Sequence, residues 1–78
     1  MNKNRRERIT NIQNNLSKIR NEIDFIKDEE CDCYSNLPEN LQESDRGISM
    51  EDAIDHLDDA LTDLDEVIEN LEKSKVWM

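Results

Sequence analysis

EDAIDHLDDALTDLDEVIENL, residues 51–71, is three sevens laid end to end: EDAIDHL, DDALTDL and DEVIENL. On a helix, Ile54, Leu61 and Ile68 take heptad position a, and Leu57, Leu64 and Leu71 take d with Met50 before them. An apolar stripe of this period is the signature of a helix that zips against another. Ser49 followed by Asp52 is an N-cap signal, Glu51 and Asp52 suit the positive end of the helix dipole, and Lys73 and Lys75 suit its negative end. The spacing predicts a helix over about 49–75.

Upstream, Ile9, Ile12, Leu16, Ile19, Ile23 and Ile26 advance in alternating steps of three and four. They predict a first helix over about 4–34, with 9, 16 and 23 at a and 12, 19 and 26 at d. Isoleucine and asparagine are mediocre helix formers, so packing must hold this segment. Residues 35–48 make the hinge. There Asn36 with Glu39 resembles a capping box ahead of a short helical turn bearing Leu37 and Leu41, and Pro38 is tolerated in its first turn. Gly47 is expected to take a positive φ just before the second helix.

If the helices run antiparallel, one register joins six aliphatic layers, from Ile9 with Leu71 to Ile26 with Ile54, about a pivot near Asn40. The e positions then pair Arg6 with Glu72, Gln13 with Asp65, Arg20 with Asp58, and Lys27 with Glu51. Exposed pairs of this kind contribute about 0–1 kcal/mol each, so they choose orientation more than they stabilise. The fold class expected is all-α: an antiparallel two-helix coiled-coil hairpin with a short helical turn in its connection. Ala53, Ala60 and Val67 at g, with Phe25 at c of the first helix, widen the apolar stripe beyond what one partner helix covers. They mark a flank through which the hairpin would form a homodimer or higher oligomer, a four-helix or larger bundle. The alternative is that these residues are good helix fillers on a wet face.

The totals agree with long helices and little else. Seventy-eight residues make one small domain, and one Gly and one Pro leave too little turn chemistry for a multi-stranded sheet. A net charge of −10 argues against nonspecific binding of DNA or an anionic membrane by the whole chain. No apolar run approaches a membrane span or a signal-peptide core, which points to a soluble, cytoplasmic protein. Cys31-Asp32-Cys33 is no disulfide framework and suits a reducing compartment. The charge is uneven: residues 1–20 carry six basic side chains against Glu7 alone, and the acids dominate the rest.

The string YSNLPENLQESDRG, residues 34–47, followed by the acidic heptads, resembles a group of small helical-hairpin proteins of tailed phages and the bacteria that carry them. The specific element is Pro38-Glu39-Asn40-Leu41-Gln42, and the likeness covers the last two thirds of the chain. The Arg/Asn-rich first helix is less typical of that group. The resemblance implies phage or prophage origin, a bacterial host cell and a hairpin fold; it implies no chemistry.

Three surfaces are candidates for function. Asp55, Asp59, Asp63 and Glu66 make an acidic helical face that suits docking on, and inhibiting or sequestering, a host macromolecule, a defence factor among the candidates. Its bland reading is a solvated face. At the open end, Arg5, Arg6 and Arg8 meet Lys73, Lys75 and Trp77, with Arg5 opposite Lys75. Guanidinium forks and an indole face suit a phosphorylated nucleotide, so an oligomer could act as a sponge for such a signal; the bland reading is a frayed terminus of solvated cations. A scaffold subunit without ligand is the third reading. Cys31 and Cys33 fall short of a zinc set, and His56 looks outward from the other helix. No Ser/His/Asp or Cys/His arrangement, phosphate loop or H-E-x-x-H motif occurs, so the chain reads as non-enzymatic, with no cofactor or metal.

Overall fold

A computed structural model describes residues 2–76. Three helices follow one another: α1 over Lys3–Ser35, α2 over Glu39–Gln42 and α3 over Asp45–Lys75. α1 and α3 run antiparallel, and the Cα trace measures 60 × 16 × 12 Å. That is a longer rod than the seam of paired heptads alone requires, because both helices continue past it. Asn2 caps α1, its Oδ1 accepting from the Arg5 N–H at 3.0 Å.

The hinge is built differently from the sequence expectation. Asn36 closes α1 as its C-cap, with its N–H donating to the Asp32 carbonyl, so it is not the cap of the short turn. α2 begins after Pro38, with no side-chain cap. Gln42 ties the hinge to α1: its Nε2 donates to the carbonyls of Tyr34 at 3.2 Å and Leu37 at 3.1 Å, at and just past the end of that helix. Ser44, not Ser49, is the N-cap of α3, and its Oγ accepts from Gly47 N–H at 3.5 Å. α3 therefore starts four residues ahead of the expected boundary. Gly47 lies inside it with φ in the ordinary negative range. It is needed for closeness: a Cβ there would stand 2.1 Å from the Gln42 carbonyl oxygen, where the α2 backbone crosses α3.

The expected register is shifted by one heptad. Gln13 reaches Glu72 at 3.0 Å, Arg20 reaches Asp65 at 2.6 Å, Lys27 reaches Asp58 at 2.7 Å, and Tyr34 donates its hydroxyl to Glu51. Each acid is thus met from one heptad further along α1, and the chain reverses about Gln42–Glu43 instead of Asn40. The α2 turn, tied to the end of α1 by Gln42 and lying against α3 at Gly47, holds the pivot there.

The roll of α1 also differs. α3 turns its a and d residues inward as expected, from Met50 through Leu61, the one buried hydrophobic side chain among the described residues, to Leu71. α1 meets them with a and e: Ile9, Gln13, Leu16, Arg20, Ile23, Lys27, Glu30 and Tyr34 are its buried or half-buried positions along this stripe. Its d residues Ile12, Ile19 and Ile26 remain 47%, 49% and 45% exposed. The long stems of Gln13, Arg20 and Lys27 lie across the seam while their polar ends reach the α3 acids, so these side chains supply both packing and pairing.

Candidate functional surfaces

Three features of the rod carry chemistry, and all follow from the roll and register of α1. The first is the flank where the helices are laced by charge. Arg20 grips Asp65 with two nitrogens, at 2.6 and 3.2 Å, and Lys27 holds Asp58 at 2.7 Å. The guanidinium holds the Asp65 carboxyl below its ordinary range, and the Arg20 and Lys27 pKa values are raised by the hydrogen bonds to their acids. At the open end Glu72 is also held low, by hydrogen bonds from Lys75 first and Gln13 second. Tyr34, whose hydroxyl donates to Glu51, has its pKa raised by that bond and then by burial.

These shifts fix the sign of a pH dependence. Asp65 and Glu72 are more acidic folded than unfolded, so their contribution is present above the unfolded carboxylate range, about pH 4, and is lost as the pH falls below it. Protonation also relieves repulsion among the other acids, so the useful readout is a difference. The stability gap between the wild-type chain and Asp65→Asn, from urea melts, should be constant near neutrality and shrink below about pH 4. A gap that stays constant through that range would mean that the Arg20–Asp65 bond does not stabilise the fold. Tyr34 has the opposite sign: its contribution is present below about pH 10 and lost above it.

The second feature is the outward face of α3. Asp55, Asp59, Asp63 and Glu66 are all exposed, and none has an ion-pair partner among the described residues. Asp52, Asp55, Asp59, Glu66 and Glu69 follow the three-and-four spacing of one helix row, with Thr62 in the gap. The row runs about 25 Å at 1.5 Å per residue. It is a solvated ridge without walls. The larger cleft lies at the hinge, about 570 Å³ and open, between Tyr34, Glu39, Gln42, Glu43, Ile48 and Glu51.

The third feature is the open end. The shifted register parts Arg5 from Lys75, so the expected like-charge contact does not form. Lys75 Nζ instead lies 2.9 Å from Glu72 and 3.3 Å from the Thr10 hydroxyl, and Lys73 pairs with Glu69 along its own helix. With Lys75 level with Thr10, the first two turns of α1 overhang the described end of α3. Arg5 and Arg8, whose side chains have no polar partner among the described residues, frame with Ile9 and Ile12 a shallow apolar hollow of about 160 Å³. Arg6 adds attraction to Glu72. Trp77, the sixth member of the expected basic cluster, lies outside the described residues.

The expected self-association flank is apolar and open. Val67 is 45% and Phe25 70% exposed, Ala53 is exposed and Ala60 half-buried. The sequence reading left out Ile12, Ile19 and Ile26, which share the flank of Ala60 and Val67; Phe25, one position before Ile26, stands about 100° further round, on the outer side of α1. Each isoleucine precedes by one position a residue that reaches an α3 acid, Gln13, Arg20 or Lys27, and so stands about 100° round α1 from the laced side, past the seam. Ala60 and Val67 lie past the seam on α3 by the same construction. Tyr34 was missed as well, and Gln13, expected opposite Asp65, is buried in the seam and reaches Glu72. They sit at e, where the heptad rule alone expects rim and not seam; the signal was their spacing with Arg20 and Lys27, one heptad apart.

Cys31 is half-buried and Cys33 exposed, both as free thiols. Among the described residues no group of three or more His, Cys, Asp or Glu side chains is placed to hold a metal ion, and no helix is long and apolar enough to cross a membrane. Set against known proteins, the chain matches no family model, no curated protein and no solved structure.

Proposed function

We propose that this chain is a non-catalytic binding protein of phage type that works in the cytoplasm of a bacterial host cell. Copies assemble through the apolar flank of Ala53, Ala60 and Val67. The acidic ridge of α3 docks on a cationic surface of a host macromolecule, inhibiting or sequestering it. The observation that carries this reading is the ridge itself: five carboxylates in one row on a long helix, of which Glu69 pairs with Lys73 and the other four, Asp52, Asp55, Asp59 and Glu66, meet no basic residue among those described. Leaving such a row unneutralised costs self-repulsion, and a partner bearing Lys and Arg would relieve it. A nucleic-acid groove of a host protein has the charge and the elongated shape to receive it. The hinge string Pro38–Gln42 supports the phage-type assignment through the resemblance noted above.

The test compares charge reversals at the two ends of the rod. Tagged wild-type chain is used to capture proteins from a bacterial lysate, beside Asp55→Lys/Asp59→Lys and Arg5→Glu/Arg8→Glu. Capture should be lost in the first variant, kept in the second, and abolished as salt rises from about 0.05 to about 0.5 M. Loss in the second variant with retention in the first would transfer function to the basic end.

That second reading has its own observation. The overhanging start of α1 puts Lys3, Arg5 and Arg8 at the positive end of a helix dipole, with no acid in the first turn. Such an arrangement attracts phosphate, and it supports a sponge for a phosphorylated nucleotide.

A further inference from the structure

We infer that the chain pairs with a second copy of itself in an antiparallel two-fold dimer centred on Ile19, with the Ile12–Ile19–Ile26 ridge of α1 as its seam. This rests on the assembly of copies proposed above and specifies its geometry. The ridge is a heptad row of three isoleucines, each close to half exposed, spanning about 21 Å at 1.5 Å per residue. It is the d row that an ordinary coiled coil buries, left uncovered because α1 offers a and e to α3. Val67 and Ala60 of α3 flank it, so a helix laid on the ridge also enters the groove between α1 and α3, as in a four-helix bundle.

Charge selects the occupant and its direction. The row Arg8, Asn15, Glu22 and Glu29 runs beside the ridge, about 60° further from the α1–α3 seam, and all four are exposed. A two-fold axis at Ile19 sets Ile12 on the partner's Ile26, Ile19 on the partner's Ile19, Asn15 near the partner's Glu22, and Arg8 against the partner's Glu29. The last pair occurs twice by symmetry. It also lays the basic overhang of each copy along the acid-rich hinge end of the other, where Asp28, Glu29 and Asp32 stand. A parallel pairing would put Arg8 on Arg8 and Glu29 on Glu29, and would gather like charge at both ends. The antiparallel dimer also separates the two basic ends by the length of the rod, so they cannot form one composite anion pocket.

Two measurements on the full chain test this. In the first, Cys31 and Cys33 are changed to Ser, and Ile12→Cys and Ile26→Cys proteins are oxidised singly and mixed. Covalent dimer should form in the mixture and be nearly absent from either protein alone. In the second, sedimentation equilibrium is run on Arg8→Glu, on Glu29→Arg, and on their mixture. Each variant alone should associate roughly tenfold more weakly than wild type, and the mixture should recover. Dimer formation by Ile12→Cys alone, or variants that associate like wild type, would overturn the antiparallel geometry and leave assembly standing. A wild-type chain that sediments as one subunit at high micromolar concentration would overturn both.

Discussion

Gly47→Ala should lower the thermal midpoint of the hairpin by about 10–20 °C, corresponding to roughly 2–3 kcal/mol. The usual expectation runs the other way. A glycine in a helix interior is about 1 kcal/mol less favourable than alanine, so propensity alone predicts stabilisation. Contact decides against it. A Cβ at this position would lie 2.1 Å from the Gln42 carbonyl oxygen and 2.6 Å from that of Leu41. Both atoms belong to the backbone of α2, which is held by the Gln42 amide on Tyr34 and Leu37 and by the Ser44 N–H donating to the Leu41 carbonyl. A flexible side chain could swing aside; this turn must move as a body and give up those bonds. Gly47→Asn separates the two explanations for the glycine. Asparagine tolerates positive φ, so it would be mild if the backbone were left-handed here. Since φ is ordinary and space is short, it should cost at least as much as alanine. Circular-dichroism melts of the two variants decide, and a midpoint for Gly47→Ala within 2 °C of wild type, a margin of about 0.5 kcal/mol, would show that α2 does not press on α3.

Leu61→Ala should cost about 2–3 kcal/mol, and Ile19→Ala measured at dilution less than about 1 kcal/mol. Leu61 is 5% exposed, whereas Ile19 is 49% exposed. An a/d seam on both helices would make Leu61 and Ile19 equivalent core layers with similar losses. The roll of α1 predicts unequal ones. Urea unfolding at low concentration, where copies are apart, measures the two directly, and equal losses would mean that α1 presents d and not e to α3. The comparison also bears on the dimer, since Ile19→Ala should become more damaging as concentration rises.

Much of this architecture is legible in residues 51–71 and 9–26. The period of the aliphatic residues sets two amphipathic helices, and the opposite charges at e set their antiparallel sense, as Arg20 and Lys27 on α3 acids bear out. The candidate surfaces were legible to different degrees. The α3 acids are exposed because they occupy outward positions of a helix whose inner face was plain from its leucines. The basic cluster was only half legible, since its composition was visible but Lys75 turned out to face Thr10 and Glu72 instead of Arg5.

What pattern by itself determined is the existence, sense and apolar faces of the two long helices. It could not determine register, because sevens that repeat look alike when slid by one repeat. Counting aliphatic layers favoured Ile9 on Leu71; the hinge overruled it. Gln42 fastens the turn to the end of α1 and Gly47 lets that turn lie against α3, and these local contacts place the pivot. The roll of α1 was likewise a tertiary decision. A long polar side chain can cover a seam with its stem and still reach a carboxylate beyond it, so Gln13, Arg20, Lys27 and Tyr34 took places that a binary reading gives to isoleucine. The isoleucines thereby displaced form the open ridge that now faces solvent.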